Sequence, residues 1–143
     1  MLKLLILCIS ISCSVLIAIL PQNCYSETST PKNEQPQFKL LNAYVCEDVE
    51  EGIPSNRSVA ISVSIESICC YTLFDEIRED SSIYHRWLFH DKPVAKFKLF
   101  LKAPRWATYS SIQLREADKG PWRVEIRDSN NKLLKTIRFS IVD

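Results

Sequence analysis

Four groups of residues in this 143-residue chain carry side chains that could do chemistry. His85, Arg86 and Trp87 are consecutive in "SSIYHRWLFH", with His90 close behind. Ser110 and Ser111 sit side by side in "KAPRWATYSS", and Cys46, Cys69 and Cys70 are three thiols beyond the apolar N-terminus. "CEDVEEG" crowds four carboxylates between Cys46 and Gly52. A serine with a histidine base would suit acyl transfer, and paired histidines and thiols would suit a metal. Each reading meets an obstacle. No G-x-S-x-G elbow presents either serine. His85 and His90 differ by an odd number, so a flat strand sends them to opposite faces, and no Cys/His/Asp cluster has ligand spacing. No C-x-x-C tunes a thiolate. Adjacent carboxylates diverge, and those of "CEDVEEG" read as a solvated loop. The expectation is a protein that is not an enzyme and has no metal site and no cofactor.

The elements that must position these residues are strands. Period-two alternation runs through "VAISVSI", "AKFKLFL", "WRVEIRD" and "LLKTIRFSIV". It turns Val59, Ile61, Val63 and Ile65 one way, and Phe97, Leu99 and Leu101 inward with Lys96 and Lys98 outward. Trp122, Val124 and Ile126 face in against Arg123, Glu125 and Arg127. Leu133, Ile137, Phe139 and Ile141 face in against Thr136, Arg138 and Ser140. "DSNNK" predicts a hairpin turn with Asn130 or Asn131 in the left-handed region. No helix-period segment of useful length appears; only "DEIREDSS" suggests a short turn or 3-10 piece. About seven short strands with closely spaced turn signals predict an all-β fold, an antiparallel immunoglobulin-like β-sandwich. Trp87, Phe97, Trp122 and Phe139 are its candidate core aromatics. Beyond Ser67 the alternation is ambiguous. Either Cys69, Tyr71 and Leu73 or Ile68, Cys70 and Phe74 face the core, with a bulge near Ser67 as the switch.

Applied to residues 83–89, the same alternation puts Ile83, His85, Trp87 and Phe89 on one face and Tyr84, Arg86, Leu88 and His90 on the other. His85 is therefore expected inside, neutral, and bonded to backbone or a hydroxyl.

The N-terminus has the layout of an export signal. Lys3 precedes an uncharged apolar run, residues 4–20, that ends at Pro21. "NCYSETS" offers Cys24 and Ser26 for a cut after Ser26. An uncleaved anchor helix and lipidation of Cys24 are the other outcomes, and all three place the rest of the chain outside the cytoplasm. Residues 1–26 are thus read as signal or anchor, 27–37 as a disordered linker, and 38–143 as one β-sandwich domain. In an oxidising compartment Cys46 is expected to bridge to Cys69 or Cys70, leaving one thiol free.

Charge is split along the chain. Residues 27–91 hold 5 basic and 12 acidic side chains, and residues 92–143 hold 12 basic and 5 acidic. The two halves could neutralise each other within one sheet system, or the second could form a basic face for an anionic partner. Interaction hot spots favour aromatic residues and Arg. On that ground Arg86, Arg105, Trp106, Tyr109 and Ser110 form the candidate contact surface, and the same aromatics with flanking hydroxyls would suit a sugar. The alternative is that Trp106 packs over the sandwich end against Arg105 or Arg86.

Five segments, "YVCEDVEEGIP", "CYTLF", "IYHRWLF", "RWATYSS" and "GPWRVEIRDSNNKLLKTIRFSIV", occur in an order that resembles the domain of unknown function 2914 family. The resemblance runs over about residues 42–142. It implies a bacterial β-rich module of exported or membrane-attached proteins, with no established activity and no catalytic residues to carry over. The matching motif positions are Cys46, Cys70, His85, Arg86, Trp87, Trp106, Ser110, Ser111, Gly120, Trp122 and Val124. By that match, Cys70 rather than Cys69 is implied as the partner of Cys46. Cys69 is an extra thiol, Tyr84 stands where the family has Thr, and Asn131 where it tends to have Gly. His85, Trp87, Ser111, Gly120 and Trp122 are expected to be structural. The function expected is a non-catalytic binding or interaction module of the bacterial envelope, in the periplasm or on the outer face of the inner membrane. Its partner would be a protein or glycan, not nucleic acid, and it would touch the membrane only through an uncleaved N-terminal segment. A carbohydrate- or cell-wall-binding domain is the alternative, and a hydrolase stands behind both.

Overall fold

A computed structural model describes residues 37–143. The signal or anchor and the linker up to residue 36 lie outside the described residues. The described part is all β, with nine strands in two sheets rather than about seven. They are β1 (Lys39–Glu50), β2 (Ile53–Arg57), β3 (Ala60–Ser62), β4 (Ser67–Asp75), β5 (Ser81–Phe89), β6 (Lys92–Leu101), β7 (Trp106–Gln113), β8 (Gly120–Asp128) and β9 (Leu133–Val142). One sheet has the order β2-β1-β4-β7 and the other β3-β9-β8-β5-β6. All pairings are antiparallel except that of β3 with β9.

β2 is a strand that the alternation does not announce, and β3 is a shorter strand than "VAISVSI" suggests. β1 runs through the acidic stretch to Glu50, and Glu50 pairs with Ile53 across a two-residue turn. Glu51 (φ 50°) and Gly52 (φ 79°) both take the left-handed region that such a turn demands. "CEDVEEG" is therefore a strand end and hairpin tip rather than a loop. The "VAISVSI" alternation ends early: after β3, Val63–Ile65 form a 3-10 turn and Glu66 turns left-handed (φ 68°). The break is a change of sheet rather than a bulge, since β3 pairs with β9 and β4 with β1 and β7. "DEIREDSS" contains no 3-10 turn and joins β4 to β5. In the β8–β9 turn Asn131 takes the left-handed region (φ 66°), and Asp128 Oδ1 accepts from the Asn130 and Lys132 amides at 2.9 and 2.8 Å.

The core fills the space between the sheets in two apolar clusters. One gathers Val45, Ile61, Ile68, Cys70, Trp87, Trp122, Val124, Phe139 and Ile141. Trp87 meets Phe139 edge-on at 6.1 Å, and Phe139 stacks on Trp122 at 6.2 Å. The other gathers Ala43, Phe74, Ile77, Ile83, Leu101 and Ile126. Of the four expected core aromatics, Phe97 alone is only half-buried. The described residues all belong to one compact unit.

Candidate functional site

The fold divides "HRW" between two environments. On β5, Ile83 belongs to one core cluster and Trp87 to the other, and His85 lies between them on the same inward face. His85 is fully buried, as are Trp87 and Thr72, and Ser110 is 5% exposed. β4 supplies Thr72 and β7 supplies Ser110, so the two sheets meet here through hydroxyls. His85 Nδ1 lies 2.9 Å from Ser110 Oγ, and His85 Nε2 lies 3.3 Å from Thr72 Oγ1. Trp87 Nε1–H donates to Ser110 Oγ at 3.0 Å, and Thr72 Oγ1–H donates to the Thr108 carbonyl at 3.2 Å.

One tautomer satisfies all four contacts. Ser110 accepts from Trp87 and spends its own proton on Nδ1, while Nε2–H donates to Thr72, whose proton goes to Thr108. The opposite tautomer would need the Thr72 proton twice. Burial holds the imidazole neutral, pushing its pKa down from 6.5 to about 3. No buried side-chain polar atom is left unpartnered among the described residues.

Ser110 beside His85 is the pairing a hydrolase reading needs. Here the serine already holds two partners and lies beneath the sheet surface. Ser111, its neighbour, points to the outer face of the four-stranded sheet, in register with Cys69.

The expected contact surface does not assemble. Ser110 is interior. Arg86 points outward from the five-stranded sheet and Tyr109 outward from the four-stranded one. Arg105 is exposed at the start of β7, 3.5 Å from Asp75. Trp106, 38% exposed, lies at the sandwich end in register with Phe74, and Lys102 rather than either arginine sits over its ring at 5.4 Å. Trp106 and Tyr109, three residues apart on one strand, take opposite faces. Tyr109 instead ends a row of three tyrosines across β1, β4 and β7. Tyr44 and Tyr71 stack at 5.3 Å, and Arg57 covers Tyr44 at 3.8 Å.

The disulfide is also absent. Cys46, Cys69 and Cys70 are buried free thiols. Ile68, Cys70 and Phe74 face the core, which puts Cys69, Tyr71 and Leu73 outside. Cys46 shares the outer face with Cys69, its register partner. Cys70 therefore lies on the other side of the sheet from Cys46, which rules out the implied pairing in this fold. Cys46 directs its sulfur toward the Cys69 carbonyl at 3.7 Å, not toward a second sulfur. Burial pushes the Cys46 thiol up to about 12 and raises Cys69 and Cys70 as well.

Gly120 and Trp122 position the end of the five-stranded sheet. Gly120 has φ 131°, and an added Cβ would meet the His90 ring at 3.0 Å, so a side chain there would strain the backbone and press on that ring. Trp122 Nε1–H donates to the Asp118 carbonyl at 2.7 Å.

Strand order creates one surface that no single segment reveals. β6, β5, β8 and β9 lie side by side, and their outward positions bring together Lys96, Lys98, Arg86, Arg123, Arg127 and Arg138. Glu125 is the carboxylate in their midst. It bonds Arg127 at 2.9 Å and Arg123 at 3.3 Å, with Arg86 at 3.7 Å. Burial raises its pKa, but the hydrogen bonds and charge of Arg127 and Arg123 more than offset that, so the net shift is downward. Asp91, in the β5–β6 turn, also pairs with Arg123. Among the described residues Lys96 and Lys98 have no anionic partner; they lie over the rings of Tyr84 and Phe100 at 4.3 and 5.5 Å. The alternation in each strand and the basic balance after residue 91 were the available signals. Which strands are neighbours was not.

Residues 80–141 match the family model described as protein of unknown function (DUF2914). This is the family the motifs resemble, and the match covers β5 to β8 and nearly all of β9. The segments "YVCEDVEEGIP" and "CYTLF" fall before it. No curated protein matches the chain.

Proposed function

We propose, taking as premise that residues 80–141 carry the DUF2914 domain, that this protein is a non-catalytic exported interaction module of the bacterial envelope. The observation that carries the reading is the outward face of the five-stranded sheet, whose six basic side chains outnumber the two carboxylates that pair with them, Glu125 and Asp91. A field of that sign, focused on one face, attracts and orients an anionic partner. The leader of residues 1–26 supports export, and a two-sheet sandwich of immunoglobulin-like type is an architecture suited to presenting such a face. The Ser110–His85 pair supports a non-catalytic role, because both groups are consumed in joining the sheets. The sugar-platform reading has less behind it. Stacking on a sugar needs free ring faces, whereas Tyr44 and Tyr71 cover each other and Lys102 sits over Trp106.

The test is capture from envelope extract on residues 27–143, wild type beside Lys96→Glu/Lys98→Glu, with mass spectrometry of proteins, lipids and glycans. The reading expects a species held by wild type and lost with the reversed charges. A species lost instead on Trp106→Ala, with the lysines irrelevant, would move the contact surface to the sandwich end.

A further inference from the structure

The outward row of edge strand β6 reads Val94, Lys96, Lys98, Phe100, with Ala95, Phe97, Leu99 and Leu101 turned inward. Its two lysines are thus bracketed by exposed apolar side chains: Val94 is 52% exposed and Phe100 67%. We propose that this row, with the basic face behind it, is a docking surface for the anionic phosphate headgroups of a lipid bilayer. The proposal rests on the reading of that face as the contact surface and names its partner.

Three features select this partner. Its charge must be negative, because Lys96, Lys98 and Arg138 have no carboxylate partner among the described residues and Glu125 is shared by three arginines. It must be extended. The six cations lie on four adjacent strands spaced about 4.8 Å apart, so they span a surface rather than converge on a point. One concavity at the edge of this face, about 220 Å³, holds only Arg123 and Arg138 of the six, and another beside Phe100, about 420 Å³, holds none of them. Finally, the partner must offer an apolar layer beside its charges. Val94 and Phe100 are six residues apart, roughly 20 Å along an extended strand, one on each side of the lysines. A bilayer supplies anionic headgroups above an apolar boundary, and basic residues mixed with exposed apolar ones are the composition of surfaces that lie on it. A polyanionic glycan supplies the charge without that layer.

The experiment is co-sedimentation of residues 27–143 with phosphatidylcholine vesicles, with and without phosphatidylglycerol. This segment lacks the apolar leader and contains every described strand. Binding is expected only with phosphatidylglycerol and is lost as salt rises. Lys96→Glu/Lys98→Glu should weaken it at least about tenfold, on the order of fivefold per cation near an anionic surface. Phe100→Ser should weaken it a few-fold and leave the salt dependence intact. Melting curves matching wild type would show that both variants fold, and β6 is an edge strand whose outward row packs against nothing inside. Equal binding by wild type and the lysine variant would overturn the assignment of the face. Absence of phosphatidylglycerol binding would overturn the lipid partner. Charge-dependent capture of a protein or glycan from extract would then leave the interaction module standing.

Discussion

His85 and Arg86 are neighbours in the chain, yet one joins the two sheets and the other faces water. The interior group (His85, Ser110, Thr72, Trp87) is closed: every donor has an acceptor and the imidazole stays neutral. The outer group (Arg86, Lys96, Lys98, Arg123, Arg127, Arg138) is open, with two carboxylates, Glu125 and Asp91, for six cations. A buried polar group without its partner costs the full desolvation penalty, whereas an exposed charge keeps its water. Stability should therefore reside in the first group, and long-range attraction in the second.

The largest effect expected from this contrast lies in two adjacent serines. Ser110→Ala leaves Trp87 Nε1–H and His85 Nδ1 unpartnered in a dry interior, at about 1–3 kcal/mol for each orphaned group. A loss on the order of 3 kcal/mol in chemical denaturation follows. Ser111→Ala, on the outer face, should stay within about 0.5 kcal/mol. Equal small losses for both would mean that the interior group does not hold the sheets together.

Much of this contrast was legible in the chain, and the illegible part has a physical pattern. Alternation placed His85 and Trp87 inside and Arg86 outside, because side-chain direction in a strand is a local property. It placed Lys96, Lys98, Arg123, Arg127 and Arg138 outward for the same reason. It could not place them together, since that depends on the neighbour order β9-β8-β5-β6, which is a property of the whole fold. The grouping of Arg86, Arg105, Trp106, Tyr109 and Ser110 failed for the converse reason. Composition united residues that parity and sheet membership separate. Thr72 went unnoticed because a threonine in a strand carries no signal until the opposite sheet brings a histidine to it. Cys70 was favoured through a motif, whereas the register aligns Cys46 with Cys69. The sheet change at Glu66 was read as a bulge, because both interrupt alternation in the same way.

Acid should expose the interior group next. The folded His85 binds its proton only near pH 3, whereas the unfolded chain binds it near pH 6.5. Between these values the unfolded state holds the extra proton, so stability falls as pH falls below about 6.5. The slope from this one group approaches about 1.4 kcal/mol per pH unit, or on the order of 2–3 kcal/mol by pH 4.5. Carboxylates contribute to the same limb, so the informative quantity is a difference. Denaturation of wild type and His85→Gln at pH 7 and pH 4.5 should show a much shallower pH dependence in the variant. Parallel profiles would place the titrating group elsewhere.

The hinge between the two regions is Glu125, 8% exposed and surrounded by arginines. Glu125→Gln removes the counter-charge of Arg127, Arg123 and Arg86 while keeping some hydrogen bonds. The expected cost is about 1 kcal/mol at pH 7. It should shrink as pH drops through the Glu125 range, because the depressed carboxyl pKa makes its stabilisation present above the unfolded value and lost below the folded one. A cost that did not change between pH 7 and pH 3 would locate the role of Glu125 in packing rather than charge.

The smallest effect is the most discriminating for "HRW" itself. Arg86 has a side chain 37% exposed and lies 3.7 Å from a carboxylate that two other arginines already bind. An ion pair of that exposure contributes between nothing and about 1 kcal/mol, and here the carboxylate keeps its better partners when Arg86 leaves. Arg86→Gln should therefore shift denaturation by no more than about 0.5 kcal/mol. One position earlier, a substitution at His85 disturbs a group with two side-chain hydrogen bonds and no access to water. A large loss on Arg86→Gln would mean that the outer face is needed to hold the fold. A negligible one leaves Arg86, like Lys96 and Lys98, as charge the fold can spare and a partner can use.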